Sequence, residues 1–249
     1  MRFGILGPVV AWEDGAPVNI GSPQQRGVLA ALLLGKGRQV PTEEIILAVW
    51  GAHAPARAVQ TVRTYVSRLR RLLGEDRQEI HTEGGGYRLE ADPAEVDVTA
   101  FRQHVATARA TGDPEEAARE LRLGCALWRD TALAGLDGAF FAGRRRWLEQ
   151  LRESALEEQW ELDLERGRLV EVITALTAAT AAEPFQERRW ELLIDALARN
   201  GQAEQAASAY HRISLLLDAE LGLNPGEGLQ RAYARLGPQR TEPGRLTSP

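Results

Sequence analysis

The chain has 249 residues, of which 44% are hydrophobic and 26% charged, with a formal net charge of −5; this is a globular composition with room for one large domain or two ordinary ones. No apolar run approaches the roughly 18 residues of a membrane span, and the start, MRFGILGPVV, lacks the architecture of a signal peptide, so a cytoplasmic location is expected. The single cysteine, Cys125, lies in the run LRLGCALW; it excludes an internal disulfide and a Cys-rich metal site and reads as a buried thiol.

Residues 3–6, 9–12 and 17–20 are short apolar runs separated by Gly7-Pro8 and Glu13-Asp14-Gly15, the pattern of a three-stranded meander. A helix start follows, with Ser22 as N-cap, Pro23 at the first helical position and Gln25 completing a capping box. This helix, through residue 34, is strongly apolar and therefore buried, and Gly35-Lys36-Gly37 ends it. Thr42 is expected to cap a short helix over 43–50, whose first turn carries Glu43 and Glu44 at the positive end of the dipole.

Gly51 and Pro55 break the chain before the stretch that organises it, RAVQTVRTYVSRLRRLL at 57–73. Val59, Val62, Val66, Leu69 and Leu73 recur three and four apart, which predicts one buried helical stripe. The remaining positions carry Arg57, Arg63, Arg68, Arg70 and Arg71 with no acid in the stretch. Ordinary surface helices mix both signs of charge, whereas an Arg-rich face with small groups at Thr64 and Ser67 suits a polyanion: the backbone can lie deep in a groove while arginines reach phosphates or guanine edges. The competing reading is a solvated basic face. Residues 79–82, the glycines Gly84-Gly85-Gly86 and residues 87–90 then form a hairpin, so the order is helix, turn, basic helix and wing.

The segment 1–96 balances 11 Lys+Arg against 11 Asp+Glu, and the remaining 153 residues carry 19 against 24, so the excess acid lies in the second part. That part reads as helical. After a linker around 92–96, Asp97 is expected to cap a helix to 111, and Asp113-Pro114-Glu115-Glu116 a second one through 128. A long charged helix covers about 140–166, with further helices near 168–182, 186–199, 202–219 and 226–236. Gly167-Arg168 and Gly201-Gln202 stand 34 residues apart, each read as the head of a helix pair, with Ala175 and Ala209 at matching offsets, a tetratricopeptide-like period. The tail after 237 is expected to be disordered.

With RTYVSRLRRLL and GGGYRL in place, the order of elements resembles the OmpR-type winged helix. The runs GSPQQR at 21–26, LAVWG at 47–51 and VRTYVSRLR at 62–70 narrow it: the chain resembles the Streptomyces antibiotic regulatory protein (SARP) family over residues 1 to about 236. The resemblance implies an α+β winged helix-turn-helix over 1–92 and an all-α tetratricopeptide-like bacterial transcriptional activation domain over 93–236, matched also by DAELGLNP at 218–225. It also implies a transcription activator that binds direct repeats in promoter DNA near the −35 element as a homodimer, recruits RNA polymerase holoenzyme, and serves secondary-metabolite genes at the nucleoid.

By the resemblance Gln60, Thr61, Thr64, Arg68 and Arg71 face the major groove, with Arg57 and Ser67 on the same side. Arg68 is the candidate for a bidentate guanine contact. Arg63 and Arg70 flank the groove near phosphates; for Arg70 the alternative is a salt bridge to the Glu75-Asp76 turn. Tyr65, at the edge of the stripe, is read as core rather than DNA contact. In the wing, Thr82, Gly84, Gly85 and Arg88 are candidate contacts along with His81, but Glu83 stands where OmpR-type wings tend to carry a base and would repel phosphate.

Catalytic, metal and cofactor signatures are missing from the sequence. No Walker A loop follows the glycines, no Ser lies in a G-x-S-x-G elbow, and His53, His81, His104 and His211 lack metal-ligand spacing. A non-enzymatic protein without cofactor is expected. The reading from a different class is a helical-repeat scaffold whose winged helix docks protein rather than DNA.

Overall fold

The three leading apolar runs pair as an antiparallel meander of β1 (Arg2–Gly4), β2 (Val10–Glu13) and β3 (Ala16–Val18), with Phe3 opposite Ala11 and Trp12 opposite Pro17. The computed structural model describes residues 1–74 and 80–237. Ser22 caps α1 (Pro23–Leu34), its hydroxyl oxygen accepting the Gln25 N–H at 3.2 Å. Gln25 itself is buried, its amide packed beneath the turn at Gly21. From Gly27 to Leu33 every residue of α1 is buried, as its all-round apolar sequence requires.

The expected cap on α2 (Thr42–Trp50) is corrected by the structure. The N-cap position is Pro41, and Thr42 spends its hydroxyl on the Gly85 carbonyl at 2.7 Å, to which its N–H also donates at 3.3 Å. The cause is β4 (Val40–Pro41), a strand too short and too proline-marked to show a period in the sequence. It pairs with β6 (Gly86–Leu89), which pairs with β5 (Ile80–Glu83), in the sheet order β4-β6-β5. Glu83 lies opposite Gly86, so the tip is only Gly84 (φ +49°) and Gly85 (φ +87°), a two-residue turn with both residues left-handed. Gly86, expected at the tip, is a strand residue: a Cβ there would sit 2.2 Å from the Val40 carbonyl oxygen. Gly86→Ala should therefore prise β4 from the wing at a cost of about 2 kcal/mol. The check is the urea midpoint; an unshifted midpoint would mean the strand pair is not as close as described.

Beyond the wing, α4 (Asp97–Ala110), α5 (Pro114–Cys125) and α6 (Ala139–Glu165) follow. Asp113 caps α5 by accepting the Glu115 N–H at 2.9 Å, as its sequence predicts. Asp97 does not cap α4, where the N-cap is Val96. Its carboxylate instead accepts the backbone N–H groups of Ile5 (2.9 and 3.0 Å) and Leu6 (3.0 Å) and pairs with Arg129 at 2.9 Å. On the other edge of the same segment, Arg129 N–H donates to Leu6 O, Leu133 N–H to Ile5 O, and Ala134 N–H to Gly7 O. These bonds draw α4, α5 and the start of α6 into one spatial unit with the winged helix. The backbone accordingly divides into Met1–Leu156 and a second unit from Glu157.

In the second unit α8 (Glu187–Arg199) packs against α7 (Leu169–Ala182), α9 (Ala203–Leu221) and α10 (Glu227–Ala234), with Trp190, Ile194, Ala206, Ile213 and Leu217 buried. Gly167 (φ +74°) and Gly201 (φ +77°) end the preceding helices rather than head the following ones. In each, the next residue donates five residues back, Arg168 N–H to Asp163 O and Gln202 N–H to Leu197 O, both at 2.9 Å. This is the Schellman closure, whose left-handed residue favours glycine. The 34-residue period is thus a period of helix ends. Ala175 and Ala209 are half-buried. The Glu75-Asp76 turn and the tail from 238 lie outside the described residues.

Candidate nucleic-acid interface

The basic stretch forms α3 (Ala58–Leu72), with Arg57 at the N-cap. Its buried stripe is Ala58, Val62, Val66 and Leu69, continued by Leu73 just past the helix. Val59, assigned to this stripe from the sequence, is 44% exposed. A helix advances about 100° per residue, which puts 58 and 59 on opposite edges of the stripe, and the packing of α3 turns Ala58 inward and Val59 outward. Tyr65 is half-buried and stacks on Trp50 of α2, ring centroids 6.5 Å apart and planes 15° from parallel, which makes it a packing residue between the two helices.

Arg57, Gln60, Arg63, Thr64, Ser67, Arg68 and Arg71 are all exposed, and Thr61 is half-buried. Among the described residues Arg57, Arg63, Arg68 and Arg71 make no ion pair, and no acid lies within α3 to neutralise them. Thr61 Oγ1 donates to Arg57 O at 3.1 Å and Thr64 Oγ1 to Gln60 O at 3.0 Å. Both hydroxyl protons are therefore held within the helix, and the oxygens face outward as acceptors.

Arg70 is placed differently from the other arginines. It is half-buried; its Nε donates to Ile80 O and its Nη2 to Thr82 Oγ1, each at 2.8 Å. Its guanidinium thus fastens α3 to β5 and fixes the angle between helix and wing. Thr82 is held in the same bond. No local sequence signal could reveal this, because the partner strand begins ten residues further along the chain.

The wing offers little free positive charge. Arg88 Nε meets Glu83 Oε2 at 3.1 Å and its Nη1 meets Glu90 Oε2 at 3.0 Å, while His81 Nε2 lies 3.2 Å from that same Glu90 oxygen. His104 Nδ1 likewise sits 2.8 Å from Glu120, so two of the four histidines have carboxylate partners that linear spacing hid. At the tip, Gln39 donates to Glu83 O (2.7 Å) and Gly84 O (2.9 Å), a buttress the sequence reading missed. Glu83→Gln removes one of the two carboxylates that hold Arg88, and a negative charge at the wing tip, and is expected to raise affinity for duplex DNA about threefold at low salt, with a gain that shrinks as salt is added. Anisotropy titrations at two ionic strengths would measure it; equal affinity at both would keep Arg88 out of the phosphate field.

Among the described residues no His/Cys/Asp/Glu group is arranged to hold a metal ion, and no helix is long and apolar enough to cross a membrane. Cys125 is half-buried, and burial pushes its thiol up to about 11, against a smaller opposing pull from Arg152.

Comparison with known sequences identifies the family. The profile described as transcriptional regulatory protein, C terminal, matches residues 16–89, and that described as bacterial transcriptional activator domain matches 96–236. The regulatory protein DnrI of Streptomyces peucetius is 32% identical over 254 residues, covering 96% of this chain and 93% of that protein. The chain belongs to the SARP family of transcriptional regulators. Another member, the regulatory protein AfsR of Streptomyces coelicolor, is 41% identical over 240 residues; this chain spans 24% of its length. The solved structure of Mycobacterium tuberculosis EmbR in complex with a low-affinity phosphopeptide superposes with a TM-score of 0.87 at 33% identity, over 94% of this chain and 64% of that one. The SARP architecture, a winged helix with small antiparallel sheets followed by a helical activator domain, is the architecture found here.

Proposed function

We propose that this SARP-family chain is a sequence-specific transcription activator whose α3 enters the major groove of promoter DNA. The observation that carries the reading is the outer face of α3, where four exposed arginines lack any ion pair among the described residues. Gln60, Thr64, Arg68 and Arg71 supply the base-edge and groove contacts, and Arg57 and Arg63 the phosphate contacts. Arg70 and Thr82 hold the wing at its angle, leaving Gly84 and Gly85 of the tip to approach the backbone. The protein binds same-orientation repeats near the −35 element as a homodimer, recruits RNA polymerase holoenzyme through its helical part, and controls secondary-metabolite genes in the cytoplasm at the nucleoid. Same-orientation repeats require head-to-tail protomers, unlike the palindromes of two-fold dimers.

The test is capture of fragmented genomic DNA on the purified protein followed by sequencing, beside an Arg68→Ala control. Enrichment of a few promoters with spaced direct repeats, lost in the control, is the expected result. Uniform or absent capture at moderate salt would reject the reading in favour of a protein-docking winged helix.

A further inference from the structure

The first unit carries a second cationic surface, built from other elements. Lys36 and Arg38 lie in the turn after α1, Arg102 on α4 and Arg144 on α6, and all four are exposed. Three of them lie over aromatic rings: Lys36 Nζ is 5.6 Å and Arg102 Cζ 5.7 Å from the ring centre of Trp147, and Arg144 Cζ is 5.4 Å from that of Phe140. Trp147 is itself 36% exposed. Among the described residues none of the four cations makes an ion pair. Partial burial, and then repulsion from Arg102, Arg38 and Arg144, lowers the Lys36 pKa, so the like charges stand close enough to oppose one another. A ring face stabilises a cation on one side only, and the outward side of each is left open to an anion.

Two cavities flank the turn. One, of about 170 Å³, is lined by Lys36 together with the apolar Leu32, Leu33, Leu89 and Val96. The other, of about 160 Å³, is lined by Arg38, Gln39, Phe140 and Arg144, with Glu44 on its wall. A DNA duplex would use the charge but not the apolar cavity or the tryptophan. A peptide with carboxylates flanking an apolar side chain would use all three, and Trp and Arg are the residue types that dominate binding energy at protein interfaces. We propose that the Lys36–Arg102–Arg144–Trp147 surface docks an acidic segment of a partner protein, with an apolar side chain of that segment in the Leu32–Val96 cavity.

The experiment uses the whole chain labelled with 5-fluorotryptophan, the Trp147 fluorine resonance being identified by its absence in Trp147→Phe. The probe is a twelve-residue peptide of Asp and Glu around a central Leu-Phe, with a Lys-containing peptide of equal length as control. A saturable shift of the Trp147 resonance by the acidic peptide alone is expected, weakened about five- to tenfold in the Lys36→Ala/Arg144→Ala double variant and also reduced in Arg102→Gln. These positions are exposed, so the variants should keep the parent thermal midpoint, and duplex affinity should stay within about twofold because none of them belongs to the α3 face. No shift at millimolar peptide, equal peptide affinity in the variants, or displacement of the peptide from Trp147 by duplex DNA would each overturn the proposal. The α3 reading stands or falls separately, on the Arg68 control.

Discussion

Arg68→Ala should lower affinity for the cognate duplex by about 1–3 kcal/mol, roughly five- to 150-fold, while changing affinity for a scrambled duplex far less. The asymmetry follows from position. Arg68 is exposed on the face opposite Val62, Val66 and Leu69, with Thr64 and Ser67 beside it, so its guanidinium can follow the helix into a groove without a bulky neighbour in the way. Among the described residues it makes no ion pair that it would have to surrender. Arg63→Ala, at the flank, should instead weaken both duplexes alike and reduce the slope of log K against log salt by about one phosphate contact. Anisotropy titrations of both variants on both duplexes, at two salt concentrations, separate the cases. An equal loss on cognate and scrambled DNA from Arg68→Ala would make it a phosphate contact and move base reading elsewhere on α3.

The second large effect is on stability. Asp97→Ala should destabilise the first unit by about 3 kcal/mol, because it strips the acceptor from the Ile5 and Leu6 N–H groups and takes the carboxylate from the partly buried Arg129, which among the described residues keeps only its bond to the Pro8 carbonyl and the Trp12 ring face. Urea denaturation gives the value, and a loss below about 1 kcal/mol would mean that the bonds from residues 129–134 hold this segment unaided. The pH dependence has a definite sign. Burial raises the Asp97 carboxyl above its ordinary 3.8, with the Ile5 and Leu6 N–H groups and Arg129 pulling the other way. A folded-state value above the unfolded one means that the group's contribution is greatest below the unfolded value and falls as pH rises through the folded value. The gap between wild type and Asp97→Ala should therefore widen as pH is lowered from 7 towards 4.

Sequence alone determined the features that rest on local chemistry. Ser22-Pro23 starts a helix because a hydroxyl and a fixed φ satisfy its first turn. The apolar spacing from Val62 to Leu73 sets the buried side of α3, and with it the arginine face. Paired turn glycines mark the wing tip and the 34-residue period, since only glycine takes a left-handed turn without steric cost.

What tertiary structure decided was where polar groups with several possible partners spend them. Thr42 and Asp97 carry the sequence signature of helix caps, yet each found a backbone partner over 40 residues away, which no local pattern encodes. Arg70 and Arg88 look like Arg68 in the sequence; only the folded wing supplies the Ile80 carbonyl and the Glu83 and Glu90 carboxylates that occupy them. Val59 and Ala58 lie on opposite edges of the stripe, and the phase of the packed helix, not hydrophobicity, turned the smaller residue inward. Lys36, Arg102 and Trp147 come from three elements spread over more than 100 residues, so their shared surface exists only because the turn after α1, α4 and the first part of α6 are packed in one unit.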